Sequence, residues 1–505
     1  MGRGMGKACI PNTAPSFIME QAWSNIESAH FDLSPLDIIS SHLYISNVFF
    51  FENTQSARDW LPEESLKQSL YDALRDFPML LGRLQHGWGN TMKVVVDKDA
   101  LNPPSWEVSE TAALSFGTLK AEGFHRRLWP EGIRIAEPQI ARTAGDASKL
   151  VRVHVARLAD NSGVAIVLRI AHAVVDAKGA VAFMRHWADC CRRRNHVVVS
   201  ATASPSPPPQ TSAALLCRRS VMYEKLSQDA RPRPLPWYMW PLSMLLVTVV
   251  SLLGLILKRN LTAGRTRSHL FRVRRDKLDA VKNLATTGSK PSNCISYNDV
   301  LVAIFTIAYA QCTMQEKKSA SSSSSKGGIF RRKPPQASAI VPCDFRHRLG
   351  VPEGYTGNCA VGLFVTAPSE TLLRPMTETS VMEVARFSRS TTSAADGATI
   401  EKLIQRAMRS IRLLGDKVRI LYSLMICQAF SNQSRLPFYE VDFGVGRPVF
   451  VSPIAYPRTV AVIVPPPPSL AMGRDAFFVY LTLEECQMSR VLGNRGFQSF
   501  AEVIY

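Results

Sequence analysis

A histidine at the end of an apolar run, with an aspartate four positions on, is the pattern in this chain best suited to moving a proton. The stretch reads Leu168-Arg169-Ile170-Ala171-His172-Ala173-Val174-Val175-Asp176-Ala177-Lys178-Gly179. Histidine takes and returns a proton near neutrality, so His172 is a candidate general base. With ten His and 41 acidic residues in 505 positions, chance alone gives roughly 0.8 such spacings. The spacing by itself therefore does not separate a base from a core histidine bonded to backbone. A second stretch, Asp442-Phe443-Gly444-Val445-Gly446-Arg447-Pro448, lies 266 positions after Asp176. Its glycines make a tight loop beside an aspartate. Alone, this loop reads as a hairpin turn around a buried Asp.

The surrounding patterns say how these residues would be held. Residues 164–170 form an apolar strand ending at His172, and a helical pattern (Val181, Phe183, Met184, Trp187) begins at Ala180. A partner strand, 150–158, precedes it across Asp160-Asn161-Ser162-Gly163. Upstream, 31–37 reads as a loop, 42–51 as a strand, 64–77 as a helix stopped by Pro78, and 85–97 as a hairpin turning at Gly87, Gly89 and Asn90. Downstream, Ser296 and Asp299 have the spacing of a helix capping box. Residues 339–341 read as a strand, 400–414 as a helix, and 449–452, 460–464 and 477–483 as further strands. A strand end is a rigid place from which to aim His172 into a cleft.

At 505 residues the chain exceeds one ordinary core, so two domains are expected: 1–200 and 266–505, joined by a crossover at 201–265. The crossover opens on a Ser- and Pro-rich linker and contains an uncharged run, 234–257, with Trp237, Tyr238 and Trp240 at one end and Lys258-Arg259 at the other. Such a run suits a membrane-associated or re-entrant segment, or a hydrophobic crossover packed on the protein. A basic, Ser-rich stretch near 315–335 reads as a disordered loop. Net charge is +19, and 16 Lys and Arg against 4 Asp and Glu fall between 258 and 333. That bias fits a phosphorylated small molecule or an anionic membrane; no aromatic-interleaved signature points to nucleic acid. The ten cysteines show neither a CxxC pair nor metal-ligand spacing with histidine, so no metal is expected, and a reducing compartment is.

His172-x-x-x-Asp176 followed by Asp442-Phe443-Gly444-Val445-Gly446 resembles the paired signatures, H-x-x-x-D and D-F-G-W-G, of the BAHD acyltransferases, which are CoA-dependent enzymes. The resemblance extends to Leu33-Ser34-Pro35-Leu36-Asp37, to Phe77-Pro78-Met79-Leu80-Leu81-Gly82-Arg83-Leu84, to 296–303, and to Asp344-Phe345-Arg346 with Tyr355-Thr356-Gly357-Asn358. It covers nearly the whole chain apart from about 232–265 and 315–335, and is nearest the fungal trichothecene 3-O-acetyltransferase-like members. It implies an α/β, chloramphenicol acetyltransferase-like two-domain fold, with mixed sheets flanked by helices and an active-site tunnel at the domain interface. It also implies acyl-CoA as co-substrate with no permanently bound cofactor, and His172 as the base that activates an acceptor. Asp176, Asp442, Gly444, Gly446 and Arg346 would be structural, with Asp442 paired to Arg346. Ala177 stands where the family usually has Gly, and Val445 where it has Trp, so altered acceptor shape or oxyanion support is expected near the tunnel.

The implied reaction moves an acyl group, expected to be acetyl, to a hydroxyl of a terpenoid or polyketide secondary metabolite. N-acylation of an amine, or an inactive membrane-associated binding homologue, are the alternatives. A carrier-protein condensation enzyme fits less well, because Ala171 stands where that group carries a paired histidine. A monomer in the cytoplasm, or on the cytosolic face of an internal membrane, is expected.

Overall fold

The computed structural model describes residues 23–87, 90–134, 149–199, 219–226, 235–261, 265–286, 294–321, 338–418, 420, 427–454 and 456–505. Within these, the N-terminal half supplies β1 (Ala29–Asp32), β2 (Tyr44–Glu52), β3 (Arg83–His86), β4 (Met92–Val96), β5 (Ser105–Glu110), β6 (Val151–Arg157) and β7 (Gly163–Ala171). The C-terminal half supplies β8 (Thr266–Arg274), β9 (Ser338–Asp344), β10 (Ala360–Thr366), β11 (Cys427–Asn432), β12 (Phe450–Pro453), β13 (Val460–Val464), β14 (Ala476–Glu484) and β15 (Ala501–Val503).

These strands form three sheets, ordered β1-β4-β3, β12-β2-β7-β6-β5 and β10-β9-β11-β13-β14-β8-β15. β2 and β7 pair antiparallel in the middle of the five-stranded sheet, and β7 is buried along its whole length. Strands covered on both faces read as continuous apolar runs rather than alternating ones. β12 crosses from the second half to close the edge of this sheet, setting Phe450 opposite Phe50.

Alternation along β2 defines the layers. Phe49 and Phe51 point to a core shared with helices of the first half, whereas Val48 and Phe50 join Leu270, Val462, Phe478 and Tyr480 of the seven-stranded sheet. The two large sheets thus face each other through a common apolar core. On the far side of the second sheet, Val479 and Leu481 pack against further helices, giving helix, sheet, sheet and helix layers.

Four helices of the first half and crossover matter below: α1 (Pro35–Ser40), α2 (Glu63–Asp76), α3 (Ala177–Val199) and α4 (Trp240–Leu261). The second half adds α5 (Tyr297–Ser321), α6 (Glu378–Ser393) and α7 (Gly397–Leu414). The loop expected at 31–37 is instead the end of β1 followed by α1. Pro35 preorganises the first turn, while Ser34 and Asp37 cap it reciprocally at 2.8 and 3.1 Å. α5 begins at the expected Ser296–Asp299 box and runs to Ser321, into the stretch expected as a disordered loop, because Gln315-Glu316-Lys317-Lys318 are good helix formers. Residues 322–335, the linker at 201–213 and the turn at 88–89 lie outside the described residues.

α3, which follows His172, packs on α2. Phe77 and Phe183 meet edge to face at 5.4 Å, and His186 Nε2 bonds Asp76 Oδ2 at 2.7 Å. Burial alone would lower the His186 pKa, but bonds to Asp76 and the Cys190 thiol raise it to about 9. Because the folded value lies above the ordinary one near 6.5, its stabilisation is complete below that pH and is lost as pH rises through about 9. Asp76 is half exposed, which screens the pair to about 0.5–1 kcal/mol. Asp76→Asn should therefore lower the thermal midpoint slightly at pH 6 and leave it unchanged above pH 10, measured by calorimetry at both.

Candidate active site

His172 follows the last residue of β7, where both sides of its backbone are tied. Its N–H donates to Leu43 O at 2.9 Å, and its carbonyl accepts from Asn358 Nδ2 at 2.7 Å. Ring Nδ1 is buried without a hydrogen-bond partner among the described residues. The side chain lines a cavity of about 1200 Å³ walled by residues of both halves.

Asp176 sits one residue before α3 and caps it. Its Oδ1 accepts from Gly179 N at 2.9 Å, and its carbonyl accepts from Ala180 N at 2.8 Å. Its Oδ2 accepts from Arg346 Nη2 at 2.7 Å. Gly179 has a separate reason to lack a side chain: a Cβ there would lie 2.1 Å from Thr356 O. The spacing from His172 to Gly179 therefore encodes a strand end, a helix cap and a close approach to the second half. Ala177 in place of the family's usual glycine is accommodated as the first residue of α3.

Arg346 is 1 % exposed. Besides Asp176 it donates to Asp344 Oδ2 at 2.9 Å, to Tyr355 O at 2.8 and 3.0 Å, and to Gly357 O at 3.0 Å. Burial alone would favour loss of its proton, but the carboxylates of Asp176 and Asp344 raise its pKa and keep it charged. A second buried pair lies beside it. Asp37, fully buried, stands 3.7 Å from Arg219 Nη1 and accepts from Asn358 Nδ2 at 2.6 Å. Arg219 also donates to Val174 O, inside the His172–Asp176 loop.

The Asp442 loop does different work from that expected. Asp442 Oδ1 accepts from the N–H groups of Gly444 (2.7 Å) and Gly446 (3.0 Å), and both glycines have positive φ, 94° and 96°. Its carbonyl accepts from Arg192 Nη1 of α3 at 3.1 Å. Asp442 is thus not Arg346's partner, because its carboxylate closes its own turn. Phe443 is buried between Phe51 and Trp187, at 5.7 and 5.0 Å. Val445 packs on that same core and is not among the residues lining the cavity. Its replacement of tryptophan therefore bears on how the loop packs.

Lys178, Lys282, Arg406 and Arg435 bring positive charge to the cavity, beside apolar groups such as Leu36, Leu301 and Phe430. Lys282 Nζ lies 3.8 Å from the centroid of Tyr297, and Arg275 lies over Tyr297 and Phe477. Arg219, Lys282 and Arg406 were not legible as site residues. Arg219 borders the linker, and the other two are surface-type residues on helices. Asp37 and Asn358 carried a signal in the Leu33–Asp37 and Tyr355–Asn358 motifs.

Removing one partner of a buried pair leaves the other charge uncompensated, which costs about 3–5 kcal/mol. Arg346→Met should lower the unfolding free energy obtained from urea titration by that order, and adding Asp176→Asn should recover part of the loss. A shift no larger than that of a surface substitution would refute the importance of this clamp.

A family profile described as the Transferase family matches residues 19–96 and 320–495, together just over half of the chain. Over 141 residues, 26% of this chain, it is 30% identical to agmatine coumaroyltransferase-1 of Hordeum vulgare, and the match spans 30% of that relative's length. Among solved structures it is similar to F. sporotrichioides TRI101 complexed with coenzyme A and T-2. There the TM-score is 0.67 at 15% identity, covering 94% of this chain and 100% of the other. Vinorine synthase matches with a TM-score of 0.56 at 16% identity, over 92% and 93% of the two chains. At these identities the structural likeness establishes the fold: two α/β halves with mixed sheets flanked by helices. With the profile spanning both halves, the chain belongs to the transferase family of BAHD acyltransferases.

Proposed function

We propose that the chain moves an acyl group, acetyl in the simplest case, from acyl-CoA to a hydroxyl of a secondary metabolite such as a terpenoid or polyketide. His172 would act as general base. The observation that carries this reading is the placement of His172 on the wall of a cavity shared by both halves, with its backbone bonded on both sides. Nδ1 is buried, so Nε2 is the nitrogen assigned to the acceptor. In that role it removes the hydroxyl proton as the oxygen attacks the thioester carbonyl. Collapse of the tetrahedral intermediate expels the CoA thiolate, which takes the proton back from His172. Asp176 caps α3 and pairs with Arg346, so it acts as an orienter and not as a proton relay. Arg346, Asp442, Gly444 and Gly446 are likewise structural in this scheme.

Acyl-CoA as co-substrate is supported by the similar TRI101 fold, whose structure holds coenzyme A. The cavity's size supports it too: about 1200 Å³ exceeds the ~300–1000 Å³ of ordinary small-molecule pockets, leaving room for two ligands. The cations at its wall suit phosphate groups. An amine acceptor is the second reading, favoured by the relative named for coumaroyl transfer to agmatine. We propose a monomer, either in the cytoplasm or associated with the cytosolic face of an internal membrane through 234–257.

Free-thiol release from a panel of acyl-CoAs with alcohols and amines tests the reading. His172→Ala should slow turnover by about 10²- to 10⁴-fold, and the preferred acceptor decides between O- and N-acylation. Equal release by both proteins would sink the base assignment. No release by wild type across the panel would favour an inactive binding homologue.

A further inference from the structure

α4 touches the rest of the protein along one stripe. Ser243 and Val250 are buried, with Leu246 and Gly254 beside them, at intervals of three to four residues. Ser243 Oγ donates to Leu413 O at 2.7 Å and accepts from Asn90 Nδ2 at 3.1 Å. Eleven residues later, a Cβ on Gly254 would come within 2.8 Å of Ile420 Cδ1. The helix is therefore pinned lengthwise along α7 and the turn after it.

Its other faces are open and apolar. Leu242, Leu245, Val249, Leu252, Leu253 and Leu255 are exposed, and 237–255 is long and apolar enough to cross a membrane. Single exposed leucines are ordinary, but a contiguous row on the uncharged run of a helix is an interaction surface. Trp237 (81 % exposed) and Tyr238 (67 %) stand at its start, and Lys258 and Arg259 follow its uncharged run. This is the distribution of anchors at a membrane interface. α7 exposes Lys402, Arg406 and Arg409, spaced as one helical stripe.

Three considerations choose the occupant and its orientation. Exposed basic residues beside an apolar row attract an anionic lipid surface. A second copy would bring two such basic stripes together. A crossing orientation would drag the docked α7 and its cations toward hydrocarbon, which is costly. We propose that α4 lies in the plane of an anionic phospholipid bilayer, its open face among the acyl chains, so that the protein is held as a monotopic membrane protein. This deepens the membrane association proposed above and rests on it. α7 also contributes Leu403, Arg406, Ala407 and Ser410 to the cavity wall, so the lipid surface would lie one helix away from the site.

Co-flotation of the full chain with vesicles of phosphatidylcholine, with and without phosphatidylserine, tests this directly. Wild type should float with the anionic vesicles. Leu245→Lys with Leu252→Lys should reduce the floated fraction by about tenfold while leaving thiol release with soluble substrates unchanged. Lys402→Glu with Arg409→Glu, which leaves the apolar row intact, should weaken flotation and flatten its salt dependence. Flotation of the leucine variant at the wild-type level would overturn the proposal. So would a wild-type dimer that ignores lipid and is broken by the leucine variant. Flotation without thiol release would refute the acyltransferase reading alone; thiol release without flotation would refute the anchor alone.

Discussion

One buried guanidinium sets the geometry of the site. Arg346 faces two carboxylates and two backbone carbonyls, and Asp176 and Gly357 lie on opposite halves of the chain. Arginine's planar fork of five N–H donors meets such a ring of acceptors; a lysine ammonium offers three donors from a single point. The bond to Asp176 fixes the start of α3, and α3 begins five residues after His172. The histidine's position is thus set by a charge pair that does not touch it. Asn358 adds a second constraint by bonding both Asp37 and the His172 carbonyl.

Much of this was legible, and what was not has a common physical reason. A strand ending at His172 and a helix starting near Ala180 follow from apolar periodicity, and Asp176 occupies the cap position that such a junction needs. The partner of Asp176 lies 170 residues away, and a sequence offers charges without saying which will meet. Asp442 was equally available to Arg346 on paper. It bonds the N–H groups two and four residues ahead instead, a local side-chain-to-backbone turn that the positive φ of Gly444 and Gly446 allows. The same local closure turns the loop holding Val445 toward α3 and away from the cavity.

The fold divides in the same way. Long apolar strands and the α2 and α7 patterns were readable, whereas α1, only six residues long, was hidden inside what looked like a loop. Its signal lay in Pro35 and in the Ser34–Asp37 box, not in periodicity. The shared core was less readable still. Phe50 packs against Phe124, Trp129 and Phe450, and the stacked pair Phe124–Phe450 (4.7 Å) joins residues from the two ends of the chain. Two halves that bury one core cannot part without exposing it, so a cavity between them is held by the same apolar contacts that make the fold.

Charge shows how far linear density can stray from function. The segment 258–333 carries most of the excess, yet several of its described cations are paired on the surface: Arg267 with Glu485, Arg272 with Glu502 and Arg274 with Asp276. Lys282 is the segment's cation among the cavity-lining residues. Of the other cations at that wall, Arg346 is paired with Asp176 and Asp344, Lys178 lies 3.7 Å from Glu353, and Arg406 and Arg435 come from stretches downstream of the segment. A low-dielectric cleft focuses the field of whatever charges line it. The potential at the site is therefore a property of topology: dispersed residues are brought to one wall, while Arg267, Arg272 and Arg274 of the dense run are paired elsewhere.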